Sequence, residues 1–472
     1  MATGRLSAFT GGRRGWILPL LAALAFVGLW TLAQPAVNPV NDSYRYARAT
    51  LSLLGTSPAE AQREALAAAC EEQARWNART ASLDPVAMEA PPRIAERTRQ
   101  CIARYPNGLT PNAPRYEAIF EDRIGYSVLA APFVGLFGVN LGLSVTSVLF
   151  TALGGALIFW LLREVGVSVG IAVGGQLFYY FSPLGWWGSY PLTEGPVLAF
   201  TAAALLGSWW LLRQRIAAGA ALLIAALVLG TAIRYSTFLL VAAALAAAAL
   251  LTLATTRTAR RPGTWLLVGI GATATVGIFA MAKVLGLSGT GETLQDTFTN
   301  HFVLPDVADP WRRLVDLNLN FWPSWFRQEL RAPWLLLGLG FGAWALFRRD
   351  TALAWVTLAL AGTGLATQIA HPMWVESDRL YVAVWLVPVV GLPLLLDRLM
   401  ADRRATSADA PVSGTPADGW STTGNRNDGG LPDRPLREDG EPASGLRDDM
   451  AFRAGLRATS VDPAAPAGRH PA

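Results

Sequence analysis

Five short stretches carry side chains able to do polar chemistry at a membrane boundary. PVNDSYRYA, residues 39–47, puts Asp42 just after the apolar run WILPLLAALAFVGLWTLA. APRYEAIFEDRIGYSV carries Glu117, Glu121, Asp122 and Arg123, and WWGSYPLTEGPVLAF places Glu194 at the start of another apolar run. GTAIRYSTF sets Arg234 between two runs, and QIAHPMWVESDRLYVAVW brings His371, Glu376, Asp378 and Arg379 in front of the last one. Ionisable groups at such depths are costly to bury and mark functional sites by default. The competing reading for each is a snorkelling or loop residue, and for Asp42 a helix cap at the positive end of the helix that follows. Arginine suits one chemistry in particular, because its planar fork donates paired hydrogen bonds to a phosphate. His301 offers only a structural reading.

The elements that must position these residues follow from hydropathy. The chain has 472 residues, 52% hydrophobic and 15% charged, with a mean hydropathy of +0.33. That balance excludes an ordinary soluble domain. Apolar runs lie near residues 16–34, 140–162, 165–183, 195–212, 216–233, 236–254, 264–284, 332–347, 351–370 and 380–396. Runs of about 20 residues span the hydrocarbon as helices, so the sequence predicts an all-α membrane protein of about ten transmembrane helices. A barrel would need alternating segments of about ten residues, which are absent. Arginines mark every second connection: Arg13 and Arg14, Arg163, Arg213 and Arg215, Arg257 to Arg261, Arg348 and Arg349, and Arg398 to Arg404. The positive-inside rule then puts residues 1–15 in the cytoplasm and the loops 35–139 and 285–331 outside. The net charge of +5 is scattered over these loops, which argues against a nucleic-acid partner.

The first outer loop holds both cysteines, Cys70 and Cys101. On the outer side a disulfide persists, so the two are expected to be bridged. Within the loop, Ser57 could cap a helix started by Pro58. A helix over residues 42–54 would align Tyr44, Ala47, Leu51 and Leu54 on one face, as an interfacial helix with its tyrosines at head-group depth. YSVLAAPFVGLFG is short and broken by Pro132, and reads as a second interfacial helix. Together these suggest an outward polar cleft roofed by the loop. Residues 401–472 turn rich in Gly, Pro, Ser and Asp and are expected to form a disordered cytoplasmic tail, leaving 16–400 as the membrane domain.

In this order and sidedness, the features resemble the GT-C superfamily of integral-membrane glycosyltransferases, in particular the protein O-mannosyltransferase and lipid A aminoarabinose transferase types. DSYRYARATL is similar to their D-E-x-x-Y-x-x-x-A stretch at Asp42 and Tyr46, with Ser43 where the second acid stands. RIGYSVLAAPFVGLFGVN, YPLTEGPVLAF and SDRLYVAVW resemble the family's second interfacial helix, its P-x-x-E-P-like stretch and its D-R-Y-like late helix, with Ser127 in place of a usual proline. The resemblance implies transfer of a sugar from a polyprenyl-phosphate donor to a glycan, lipid or protein acceptor outside the plasma membrane. Asp42 would be the general base, and Arg379 with Arg234 would hold the phosphate across the cleft. Glu121 or Asp122 would bind the sugar, position the acceptor or ligate Mg²⁺ or Mn²⁺, with Glu194 and His371 completing the binding set. No fixed metal is expected, since no His-rich constellation is present.

Two other classes fit parts of the sequence. A transporter or flippase for a lipid-linked or polar solute explains many spans with buried Arg and Glu, but not the hundred-residue outer loop. A scaffold recruiting partners through the tail explains only the tail.

Overall fold

A computed structural model describes residues 17–33, 41–83, 93–109, 113–256, 260–374 and 376–408. The N-terminal segment with Arg13 and Arg14, Arg257, and residues 409–472 of the expected tail lie outside the described residues. All regular structure among the described residues is helical. After α1 (Ile17–Ala33), the first loop forms α2 (Asn41–Leu53), α3 (Pro58–Ser82), α4 (Ile94–Arg104), α5 (Pro114–Glu121) and α6 (Ile124–Phe137). The chain continues with α7 (Val139–Val165), α8 (Val169–Phe181), α9 (Pro183–Gly188), α10 (Glu194–Leu212), α11 (Ile216–Thr255) and α12 (Pro262–Val284). It ends with α13 (Thr290–Phe298), α14 (Pro310–Arg331), α15 (Trp334–Arg349), α16 (Thr351–Ala370), the one-turn α17 (Ser377–Leu380), a 3₁₀ turn at Val382–Trp385 and α18 (Leu386–Ala408). The last helix thus runs eight residues past position 400.

Six stretches are long and apolar enough to cross a membrane: α7, α10, α11, α12, α16 and Val382–Arg403. A seventh appears if α14 and α15, bent by 88° to each other, are taken as one broken span. The chain is therefore an all-α, multi-pass membrane protein. α1, with 17 residues, and α8, with 13, are apolar but shorter than the usual crossing length.

α10 is the centre of the bundle. Its residues are apolar almost all round, and all but Trp210 and Leu212 are buried, as expected of a helix with no solvent face. Its Gly207 faces Gly219 of α11 so closely that a methyl group there would stand 3.1 Å from the Gly219 carbonyl oxygen. Small residues let membrane helices approach in this way. α11 contains a sharp break at Arg234, whose φ of −156° and ψ of 83° are not helical. A methyl group on Gly230 would collide with the Phe238 ring, so the two limbs touch beside the break. The break falls at Arg234, which the sequence sets between two apolar runs.

The first loop builds its own small core from Tyr44, Tyr46, Ala47 and Leu51 of α2, Ala65, Leu66 and Cys70 of α3, and Tyr126 and Ala130 of α6. This corrects one expectation. The Tyr44, Ala47 and Leu51 face of α2 is buried in protein instead of lying at head-group depth, and only Leu54 of that set is exposed. Two tyrosines, an arginine and their apolar neighbours find better company in α3, α5 and α6 than in the interface. Arg45, also on α2, is 2% exposed; it donates to Glu117 Oε1 at 3.0 Å and sits 4.1 Å over the Tyr116 ring. Arg48 takes the other oxygen of Glu117. Cys70 and Cys101 are bridged, joining α3 to α4 with Cα atoms 5.6 Å apart. α3 starts at Pro58 as expected, but Ser57 contributes its backbone carbonyl, to Glu60 and Ala61, and not its hydroxyl.

Candidate functional site

Three element ends converge on one charged cluster. Asp42 lies in the first turn of α2, Glu194 opens α10, and Arg379 sits in α17. Arg379 donates from Nη2 to Asp42 Oδ2 and from Nε to Glu194 Oε1, each at 2.7 Å. The break in α11 points Arg234 at the same Glu194 oxygen, from 3.4 Å. Residues 337 and 185 positions apart are thereby joined through one guanidinium. The helical cap offered for Asp42 is displaced by this ion pair.

The cluster is sheltered but not sealed. Glu194 and Arg379 are 4% and 6% exposed, whereas the Asp42 side chain retains 19% exposure. Several bonding positions stay open. Glu194 Oε2 is buried without a hydrogen-bond partner. Asp42 Oδ1 has none among the described residues, and of the five N–H groups of Arg379 only two are engaged. Buried polar atoms are nearly always satisfied, so bare ones call for a reason, an absent ligand among them.

Electrostatics keep Asp42 charged. Burial opposes its ionisation, but the charge and hydrogen bond of Arg379, with Arg123 and Arg234 beyond, outweigh it and hold the carboxyl below the usual range. Glu376 moves the other way: burial and the neighbouring Asp42 and Glu194 raise it, against the pull of Arg379. His371, just past α16, is pushed down to about 4 by burial and by Arg234 and Arg123, so its ring is neutral at pH 7. Its Nδ1 lies 3.2 Å from Thr297 Oγ1 on α13, tying the α12–α14 connection to this end of the bundle.

No protein-family model, curated protein or solved structure matches this chain. The residues themselves must carry the reading. Asp42, Glu194, Arg234 and Arg379 are brought into contact, with His371 within electrostatic reach of Arg234. Asp122 is partly engaged elsewhere, its Oδ2 accepting from the Ser288 backbone N–H at 2.7 Å. Glu121, at the end of α5, is exposed and has no polar partner among the described residues. Among those residues no three His, Cys, Asp or Glu side chains group as a metal site. Sequence reasoning gave no role to Arg123, Tyr46 or Glu376. The available signals were an arginine directly after two acids at the start of α6, and a tyrosine one helical turn after Asp42, on the same helix face.

Proposed function

We propose that the chain is a GT-C-like membrane glycosyltransferase that moves a sugar from a polyprenyl-phosphate donor to an acceptor outside the plasma membrane. The observation that carries this reading is the Asp42–Arg379–Glu194 cluster with its open valences, a base beside an anion-binding group at one end of the bundle. In this reading the two limbs of α11 are separate spans. With α1, α7, α8, α10, α12, α15, α16 and α18 they make ten, and the cluster faces outward.

The chemistry follows from the free atoms. An acceptor hydroxyl gives its proton to Asp42 Oδ1 while its oxygen bonds to the anomeric carbon from the face opposite the phosphate. The carbon–oxygen bond to phosphate breaks, and its electron pair goes to the phosphate oxygen. The unengaged N–H groups of Arg379, with Arg234 beside it, take up the new negative charge. A hydrogen bond, a reacting contact and a phosphate contact laid end to end far exceed the 2.7 Å that separates Asp42 from Arg379. Donor binding therefore turns Arg379 away from Asp42 toward the phosphate. That movement frees Asp42 from the charge that depresses its basicity, so the base strengthens when substrate is present. Glu194 keeps Arg379 anchored through Nε during the turn.

Purified protein with radiolabelled polyprenyl-phosphate sugar tests the reading. Transfer of label is expected, with a loss of about 10²–10⁴ in rate for Asp42→Asn and an unchanged fold. Full activity of Asp42→Asn removes the base assignment. Sugar uptake into proteoliposomes with the phosphate ester intact favours the transporter.

A further inference from the structure

α14 is divided lengthwise in a way that neither a soluble helix nor a buried span explains. At 100° per residue, Leu314, Phe321 and Trp325 form one buried stripe, and Phe321 and Trp325 pack against Leu335, Tyr381 and Val384. The adjoining stripe exposes Trp311, Val315, Leu319, Phe326 and Leu330, with the half-buried Glu329 on its inner edge beside Tyr381. The remaining face is polar, with Arg312, Arg313, Asp316, Asn320, Arg327 and Arg331. Arg313 pairs with Asp309, while Arg312, Arg327 and Arg331 have no ionic partner among the described residues. The helix is thus held by the protein along one flank, apolar on a second and cationic on the third.

The direction of the helix identifies what covers the exposed stripe. α14 meets the apolar α15 at 88°. α15 packs along α18 within the bundle, so α14 runs across the bundle axis for about 33 Å, at 1.5 Å per residue. It does so at the end where the charged cluster lies, because Trp325 packs edge-on to Tyr381, two residues after Arg379, at 5.8 Å. Asn318 fixes the same flank by donating to the Ile369 carbonyl at 2.9 Å.

We propose that α14 lies flat in the membrane surface on the side of the charged cluster, its exposed stripe among the acyl chains and Arg312, Arg327 and Arg331 on the phosphates of anionic lipids. An in-plane helix with aromatic and aliphatic residues on one face and arginines on the other matches this interface in polarity and charge. The placement is independent of whether the cluster transfers sugar. Through Trp325 and Tyr381 it gives the segment bearing Arg379 a direct footing on the lipid surface.

Single cysteines introduced into the full chain test the depth, because both native cysteines are held in their bridge. Leu319→Cys, Phe326→Cys and Asn320→Cys are labelled with an environment-sensitive fluorophore in nanodiscs of phosphatidylcholine and phosphatidylglycerol. Bromines on the acyl chains should quench positions 319 and 326 several-fold more than 320, and aqueous iodide should do the reverse. Equal quenching at 319 and 320 by both agents overturns the proposal, as does a stripe shielded from both, which would mean a protein partner. Native mass spectrometry reads the head groups. Arg312→Gln, Arg327→Gln and Arg331→Gln should each lower retained phosphatidylglycerol relative to phosphatidylcholine by about fivefold. No preference for the anionic lipid in the unaltered protein also overturns it.

Discussion

Removing Arg379 exposes the energetics of the cluster most directly. In Arg379→Gln, Asp42 and Glu194 each lose a charge-assisted hydrogen bond of 2.7 Å. Glu194 is 4% exposed and its other oxygen is already bare. Its one remaining polar contact among the described residues is Arg234 at 3.4 Å, too long to replace what is lost. Breaking a buried pair by deleting one partner costs about 3–5 kcal/mol, since the other charge is left uncompensated. Asp42 adds less, because its side chain is partly open to water. The expected loss is therefore about 3–5 kcal/mol in SDS-induced unfolding from mixed micelles. Arg379→Lys should fall between, because a compact ammonium cannot serve both carboxylates as the planar guanidinium does. The decisive comparison is the double variant. With Glu194→Gln added to Arg379→Gln no orphan charge remains at position 194, so the double variant should be about 1–3 kcal/mol more stable than additivity predicts. A loss below about 1 kcal/mol for Arg379→Gln, or additivity within about 0.5 kcal/mol, would refute the argument.

Two further outcomes rest on other groups. His371 is neutral in the folded protein down to about pH 4, whereas in the unfolded chain it takes a proton near 6.5; the unfolded state binds more protons between these values, so stability falls as pH drops through that window, by about 2 kcal/mol at pH 5. His371→Gln should flatten the slope of unfolding free energy between pH 7.5 and 5, and an unchanged slope would remove His371 as its source. The Cys70–Cys101 bridge joins residues 31 apart, so Cys70→Ser with Cys101→Ser should lower resistance of the first loop to proteolysis, by about 3–4 kcal/mol in the chain-entropy picture. Equal cleavage rates with and without the bridge would show that the loop core stands without it.

Hydropathy made the helical architecture legible, because runs of apolar residues dictate helices wherever the backbone has no water to bond. It also set Arg234 between two apolar runs, and the helix breaks at that residue. It failed for α2. Periodicity assigned the Tyr44, Ala47 and Leu51 face to an apolar environment correctly, but periodicity cannot say whether that environment is lipid or protein. The same limit hid α14, whose two apolar stripes read in sequence as one broad face. Within the cluster, Asp42, Glu194, Arg234 and Arg379 were legible because charges beside apolar runs are costly and therefore stand out. Glu121 and Asp122 were picked by the same signal, but they sit at the last turn of α5, where solvent and a backbone N–H satisfy them. Arg123 and Tyr46 carried only weak local signals, because their contribution depends on how α2, α5 and α6 pack, which no local pattern encodes.

Two buried ion-pair groups among the described residues differ in a way that bears on function. In the first, Glu117 is gripped through both oxygens by Arg45 and Arg48, and the Arg45 guanidinium lies over the Tyr116 and Phe120 rings. That arrangement fastens α2 to α5 and leaves its carboxylate complete. In the second, Arg379 joins two carboxylates by one oxygen each, leaving an oxygen of Glu194, an oxygen of Asp42 and most of its own donors unengaged. A buried ion pair contributes little net stability over a well-packed apolar replacement, and an incomplete one contributes less. A core selected for stability alone would have no use for the second group in that form. Its open valences are both acceptors and donors, set side by side at the converging ends of α2, α10 and α17, and that combination suits a ligand which brings a hydroxyl and an anion together.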